Sequence, residues 1–119
     1  MSTIKQMLDD LLTGDGAMCA AVVDSNSGMM LGSAGSGVDL EIAAAGNTEV
    51  VRAKLKTMKA LGLNETIEDI LITLGRQYHI IRPCARKEGV FIYYVLDKAK
   101  ANLAMSRRKV QDADRDLNF

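Results

Sequence analysis

Val90-Phe-Ile-Tyr-Tyr-Val-Leu96 is apolar at every position. A strand sends successive side chains to opposite faces, so an unbroken run of this kind is buried on both. It belongs in the middle of a sheet, with helices above and below. Lys87-Glu88-Gly89 makes the turn before it. Earlier still, Ile67–Leu74 and Tyr78–Arg82 are predicted strands joined by Gly75-Arg76, where Gly in first place fits a tight two-residue hairpin. Towards the N-terminus, Met18–Val23 is a compact apolar run of strand length, closed by the turn-tolerant Asp24-Ser-Asn-Ser-Gly28. Met29–Gly32 returns as a short strand, and Ser33–Gly37 is predicted as a flexible loop.

Three helical patterns separate and flank these strands. Ile4, Met7, Leu8, Leu11 and Leu12 fall on one helical stripe, and Thr13-Gly14-Asp15-Gly16 stops it. The longest pattern starts near Asp39, a good N-cap residue, and ends at Gly62, which suits a left-handed C-cap. The last begins at about Ala99, after the N-cap candidate Asp97, with Ala99, Leu103, Ser106, Val110, Ala113 and Leu117 on one narrow seam. The order is α-β-β-α-β-β-β-α, and the hairpin connections make the paired strands antiparallel. The expectation is an α+β fold, a five-stranded antiparallel sheet sandwiched between helices.

A chain of 119 residues suits one domain, spanning 1–119. At that size a single core buries about two-thirds of the surface of the unfolded chain, enough to fold without staples. Cys19 and Cys84 sit in apolar runs with no metal spacing, and read as buried free thiols of a reducing compartment. Fifteen Lys and Arg balance fifteen Asp and Glu, which removes the long-range pull of nucleic acid or an anionic membrane. Lys5, Asp9 and Asp10 interrupt the apolar positions near the N-terminus, unlike a signal peptide, and no run of about eighteen apolar residues occurs to span a membrane. A cytoplasmic protein is expected, with neither nucleic acid nor membrane as partner.

The central helix carries more apolar surface than one sheet can use. On a helical wheel Glu41, Glu49, Arg52, Lys56 and Lys59 gather on the water side. The remainder, from Leu40, Ala44, Val51, Leu55 and Met58 round to Ala43, Gly46, Val50, Ala53, Thr57 and Leu61, is apolar over more than half the circumference, broken by Asn47 and Lys54. Packing on one sheet needs a stripe of roughly 100°. The surplus is met most simply by a second copy, and small residues at Ala43, Gly46 and Ala53 would allow two helix backbones to approach closely. Alternatively the first or last helix wraps over this face. The strand Ile67–Leu74 is apolar on both sides, and at a sheet edge it would invite pairing with another chain. The predicted interface is therefore Ala43, Gly46, Val50, Ala53, Lys54, Thr57 and Leu61 of the helix with Ile67, Ile70 and Ile72 of the strand.

No catalytic, metal or cofactor constellation stands out. His79 lies in a strand context with no ligand at a useful spacing and reads as structural. Cys84 has basic neighbours, Arg82, Arg86 and Lys87, which could lower a thiol pKa, but no activating base is at hand. Gly32-Ser-Ala-Gly-Ser-Gly37 precedes a helix as a phosphate cradle does, yet Val38 and Asp39 follow where Lys and Ser or Thr are needed. Arg107-Arg-Lys109 with Asp112, Asp114, Arg115 and Asp116 reads as a solvated face of mixed sign, or else a partner-docking helix.

Leu40-Glu-Ile-Ala-Ala-Ala-Gly-Asn-Thr-Glu-Val-Val-Arg52 and Ile67-Glu-Asp-Ile-Leu-Ile-Thr-Leu-Gly-Arg-Gln-Tyr-His-Ile-Ile-Arg-Pro83, taken with the element order, resemble the Roadblock (dynein light chain) family. The likeness covers almost the whole chain and is greatest to the small stand-alone bacterial members. It implies a central five-stranded sheet with the long helix on one face and the terminal helices on the other, and pairing of two copies through the long helix and the third strand. It also implies a non-enzymatic role as regulator of, or platform for, a Ras-like GTPase. The alternative it leaves is an adaptor or light-chain-like assembly subunit with no effect on nucleotide turnover.

Overall fold

The computed structural model describes residues 2–118. Its elements are α1 (Ile4–Leu11), β1 (Ala17–Asp24), β2 (Met29–Gly35), α2 (Leu40–Ala60), β3 (Ile70–Thr73), β4 (Gln77–Pro83), β5 (Val90–Asp97) and α3 (Leu103–Asp116). The five strands form one antiparallel sheet in the order β2-β1-β5-β4-β3. The all-apolar strand is thus central, as its sequence requires. Its alternate side chains feed two cores. Ile92, Tyr94 and Leu96 meet Met7, Leu8 and Leu11 of α1 and Val110 and Ala113 of α3; Phe91, Tyr93 and Val95 meet Ala44 and Val51 of α2.

Local chemistry fixes the helix ends. Thr3 caps α1 in a reciprocal capping box with Gln6. The Asp39 carboxylate accepts from the backbone N–H groups of Glu41 (3.1 Å) and Ile42 (3.2 Å), so it occupies the helix donors a phosphate would have needed. At the other end Gly62 takes a φ of 72°, with Gly62 N–H bonded to the Lys59 carbonyl and Leu63 N–H to that of Met58. That double closure releases the chain sideways towards β3.

Four expectations need correction. Strand β2 runs on to Gly35 instead of ending at Gly32, because Ser33, Ala34 and Gly35 pair with Ala21, Ala20 and Cys19. Most of the predicted flexible loop is therefore sheet. Strand β3 is only Ile70–Thr73, shorter than the predicted Ile67–Leu74. Ile70 pairs with Ile81, and the next residues of β4 are Arg82, which turns its guanidinium to the Glu68 carbonyl (3.0 Å), and Pro83, which has no N–H to give. The β3–β4 hairpin does close tightly around Gly75-Arg76, through Leu74 N–H to the Gln77 carbonyl (2.9 Å), but without a positive φ at Gly75, so the turn does not rely on a glycine's freedom. Helix α3 starts at Leu103 with Asn102 as cap, not after Asp97. Asp97 instead holds a turn, accepting from Ala99 N–H on its carboxylate (3.0 Å) and from Lys100 and Ala101 on its carbonyl.

The charged C-terminal helix is not a solvated face throughout. Asp114 is buried and accepts from Arg82 Nε (3.1 Å) and from Ala85 N–H (3.2 Å). It ties α3 to the turn between β4 and β5. Arg107 holds Asp69 at 2.8 Å and so anchors the approach to β3.

Candidate protein-binding site

Helix α2 covers only part of its sheet face. Its buried stripe is Ala44, Thr48, Val51 and Met58, and it packs on β1 and β2, the strands at one side of the sheet. Turning from that stripe towards β5, the side chain of Asn47 lies beside the Tyr93 phenol. Just beyond Asn47 on the same flank lie Ala43, Lys54, Leu61, Val50, Thr57, Gly46 and Ala53, spaced three and four apart along the helix. Ala43 is half-buried and the others are exposed, Leu61 to 65%. A Cβ added at Gly46 would meet nothing within 4 Å. Ile42, 70% exposed, extends this apolar surface at the N-terminal end, where the helical wheel alone did not mark it.

The sheet beside that flank is also only partly covered. Ile70 and Ile72 point to the α2 side, pack on the edge of the second core and stay half-exposed. Between them and the helix, Tyr93 Oη and His79 Nδ1 are 2.9 Å apart, and His79 Nε2 lies 2.8 Å from Gln77 Oε1. Burial pushes the Tyr93 phenol up to about 12, so it stays protonated and donates to Nδ1. The imidazole then carries its proton on Nε2, where Gln77 Oε1 accepts it. Burial also lowers the His79 pKa, in keeping with a neutral ring. The histidine is structural, as its context suggests. Beyond it β3 is an edge strand with its outer side unpaired by any described strand.

Nine of the ten predicted interface residues therefore share one side of the molecule, seven on the α2 flank and Ile70 and Ile72 on the adjacent sheet. Ile67 is the exception. Because β3 starts late, Ile67 lies in the connector from α2, where it lines a separate cleft with Leu55 and Phe91. Leu55, one turn beyond the buried Val51 on the apolar arc of the helix, is 48% exposed above that cleft.

The surroundings of Cys84 disfavour its thiolate. Burial and the adjacent Asp114 carboxylate push its thiol up to about 12, overriding the Arg82 charge that works the other way. Cys19 is raised too, chiefly by burial. Both thiols are buried and free. Among the described residues no group of three His, Cys, Asp or Glu is placed to hold a metal ion, and no helix is long and apolar enough to cross a membrane.

Comparison with known proteins gives a fold. No family model and no curated protein matches the chain. Among solved structures, MglB of Myxococcus xanthus superposes with a TM-score of 0.81 at 21% identity, over 94% of this chain and 89% of that one. A Roadblock/LC7 domain from Streptomyces avermitilis gives a TM-score of 0.81 at 10% identity, covering 96% and 93% of the two chains. MglB in a tetrameric arrangement gives 0.79 at 19% identity, covering 93% and 82%. The chain has the Roadblock fold.

Proposed function

We propose that the chain is a non-enzymatic, self-paired platform that binds a Ras-like GTPase and biases its nucleotide cycle. The observation that carries the self-pairing is the exposed apolar corner formed by the α2 flank and the uncovered sheet beside it. A second copy would bring an identical apolar flank against it. Small side chains at Ala43, Gly46 and Ala53 suit close approach, while the open edge of β3 offers backbone groups at the margin of the same surface. Self-association of this fold is also met in the tetrameric MglB.

The GTPase half of the reading rests on the Roadblock resemblance, since a fold by itself does not fix a function. A structural adaptor would use the same paired surface without touching nucleotide turnover. Affinity recovery of the tagged chain from its own cells, in GTP and then in GDP, separates the two. A small GTPase enriched in one nucleotide state, whose hydrolysis or exchange rate changes when the purified chain is added, supports the platform. Recovery of scaffold subunits alone, indifferent to nucleotide, leaves the adaptor.

A further inference from the structure

A second surface lies apart from the α2 flank, at the end of the sheet where β4 turns into β5. There the connector from α2 to β3 swings away and leaves a cleft of about 630 Å³, within the range of binding pockets. Val51, Leu55, Ile67 and Phe91 give it apolar walls. Its rim is acidic: Glu65 and Glu68 come from the connector and Glu88 from the β4–β5 turn, and all three are exposed. Arg82 is the one cation among the lining residues, and it is already committed, through Nε to Asp114 (3.1 Å) and through Nη1 to the Glu68 carbonyl (3.0 Å). Its lining thus presents carboxylates on separate segments around an apolar centre, while Arg86 and Lys87 of the same turn stand outside that lining.

We propose that this cleft docks a short segment of another protein in which a large apolar side chain is flanked by Arg or Lys. The apolar residue would fill the space beneath Leu55, and cations on either side of it would meet the carboxylates of the connector and of the turn. Rim charges of this kind set partner choice and association rate more than they add affinity, so the contact should be selective and salt-sensitive. This does not depend on self-pairing, which uses the other flank of α2.

The test uses the full chain and a short fluorescent peptide in which leucines alternate with arginines, beside a leucine–glutamate counterpart, with binding read by anisotropy. The arginine peptide should bind and the glutamate peptide should not. Replacing Glu65, Glu68 and Glu88 together by Gln should weaken binding roughly tenfold and flatten its salt dependence. Leu55→Gln, at a half-exposed position, should abolish binding while the circular dichroism spectrum stays that of the wild type. Equal binding of both peptides, or indifference to the triple Gln replacement or to Leu55→Gln, would overturn the proposal. It would fall equally if either variant changed the mass of the assembled chain, because the cleft would then belong to the contact between copies.

Discussion

Asp114 shows how much a single side chain can hold in a small domain. Its carboxylate meets the Arg82 guanidinium and the Ala85 N–H while almost wholly buried, so removing it strands a half-buried cation and frees the β4–β5 turn. Asp114→Ala should cost about 3 kcal/mol of folding stability, the usual scale for breaking a buried pair, and a urea unfolding curve would read it directly. His79 makes a different prediction. Burial lowers its pKa in the fold, so above the ordinary value of 6.5 both folded and unfolded chains carry a neutral ring and the residue adds no pH dependence. As the pH falls through 6.5 the unfolded chain takes up the proton first, and stability drops until the folded-state value is passed as well. His79→Gln should therefore have a flatter dependence of its urea midpoint on pH below 6.5 than the wild type. Parallel curves for the two proteins would show that the ring titrates alike in both states.

At the scale of elements, the most informative helix position is Gly46. In the single chain an added methyl meets nothing, so Gly46→Ala should raise helix stability by about 1 kcal/mol on propensity alone. If the α2 flank packs against a second backbone, the same methyl must weaken self-association. Higher thermal stability with weaker pairing is the predicted combination; higher stability with unchanged pairing would mean that Gly46 is merely a tolerated weak spot. The helix was legible because both its caps are local and its apolar surplus shows on a wheel. Strand β5 was legible because burial on both faces leaves no polar residue from Val90 to Leu96. Most of what sequence does not show depends on distant partners. Strand β3 is cut short by Arg82 and Pro83 of the neighbouring strand, and Asp114 looked like a surface charge because Arg82 lies 32 residues away in the chain. The late start of α3 had a local cause, since Asp97 and Asn102 are both competent caps and only the turn held by Asp97 decides between them.

The whole molecule is asymmetric about its sheet. Two helices cover one face, whereas one helix, displaced towards β1 and β2, serves the other. The sheet beside it is only partly covered, and a two-fold axis there would let each copy cover the other with identical residues. Whether two copies pair in this way is read from the mass of the purified chain in solution, by light scattering on a gel-filtration column. Val50 is exposed in the single chain, so Val50→Glu should leave the fold intact while placing a charge inside the contact. On that pairing, the wild type should show twice the chain mass and the variant one chain mass, with unchanged circular dichroism. A wild type that remains a single chain at every concentration, or a Val50→Glu variant that stays paired, would contradict it.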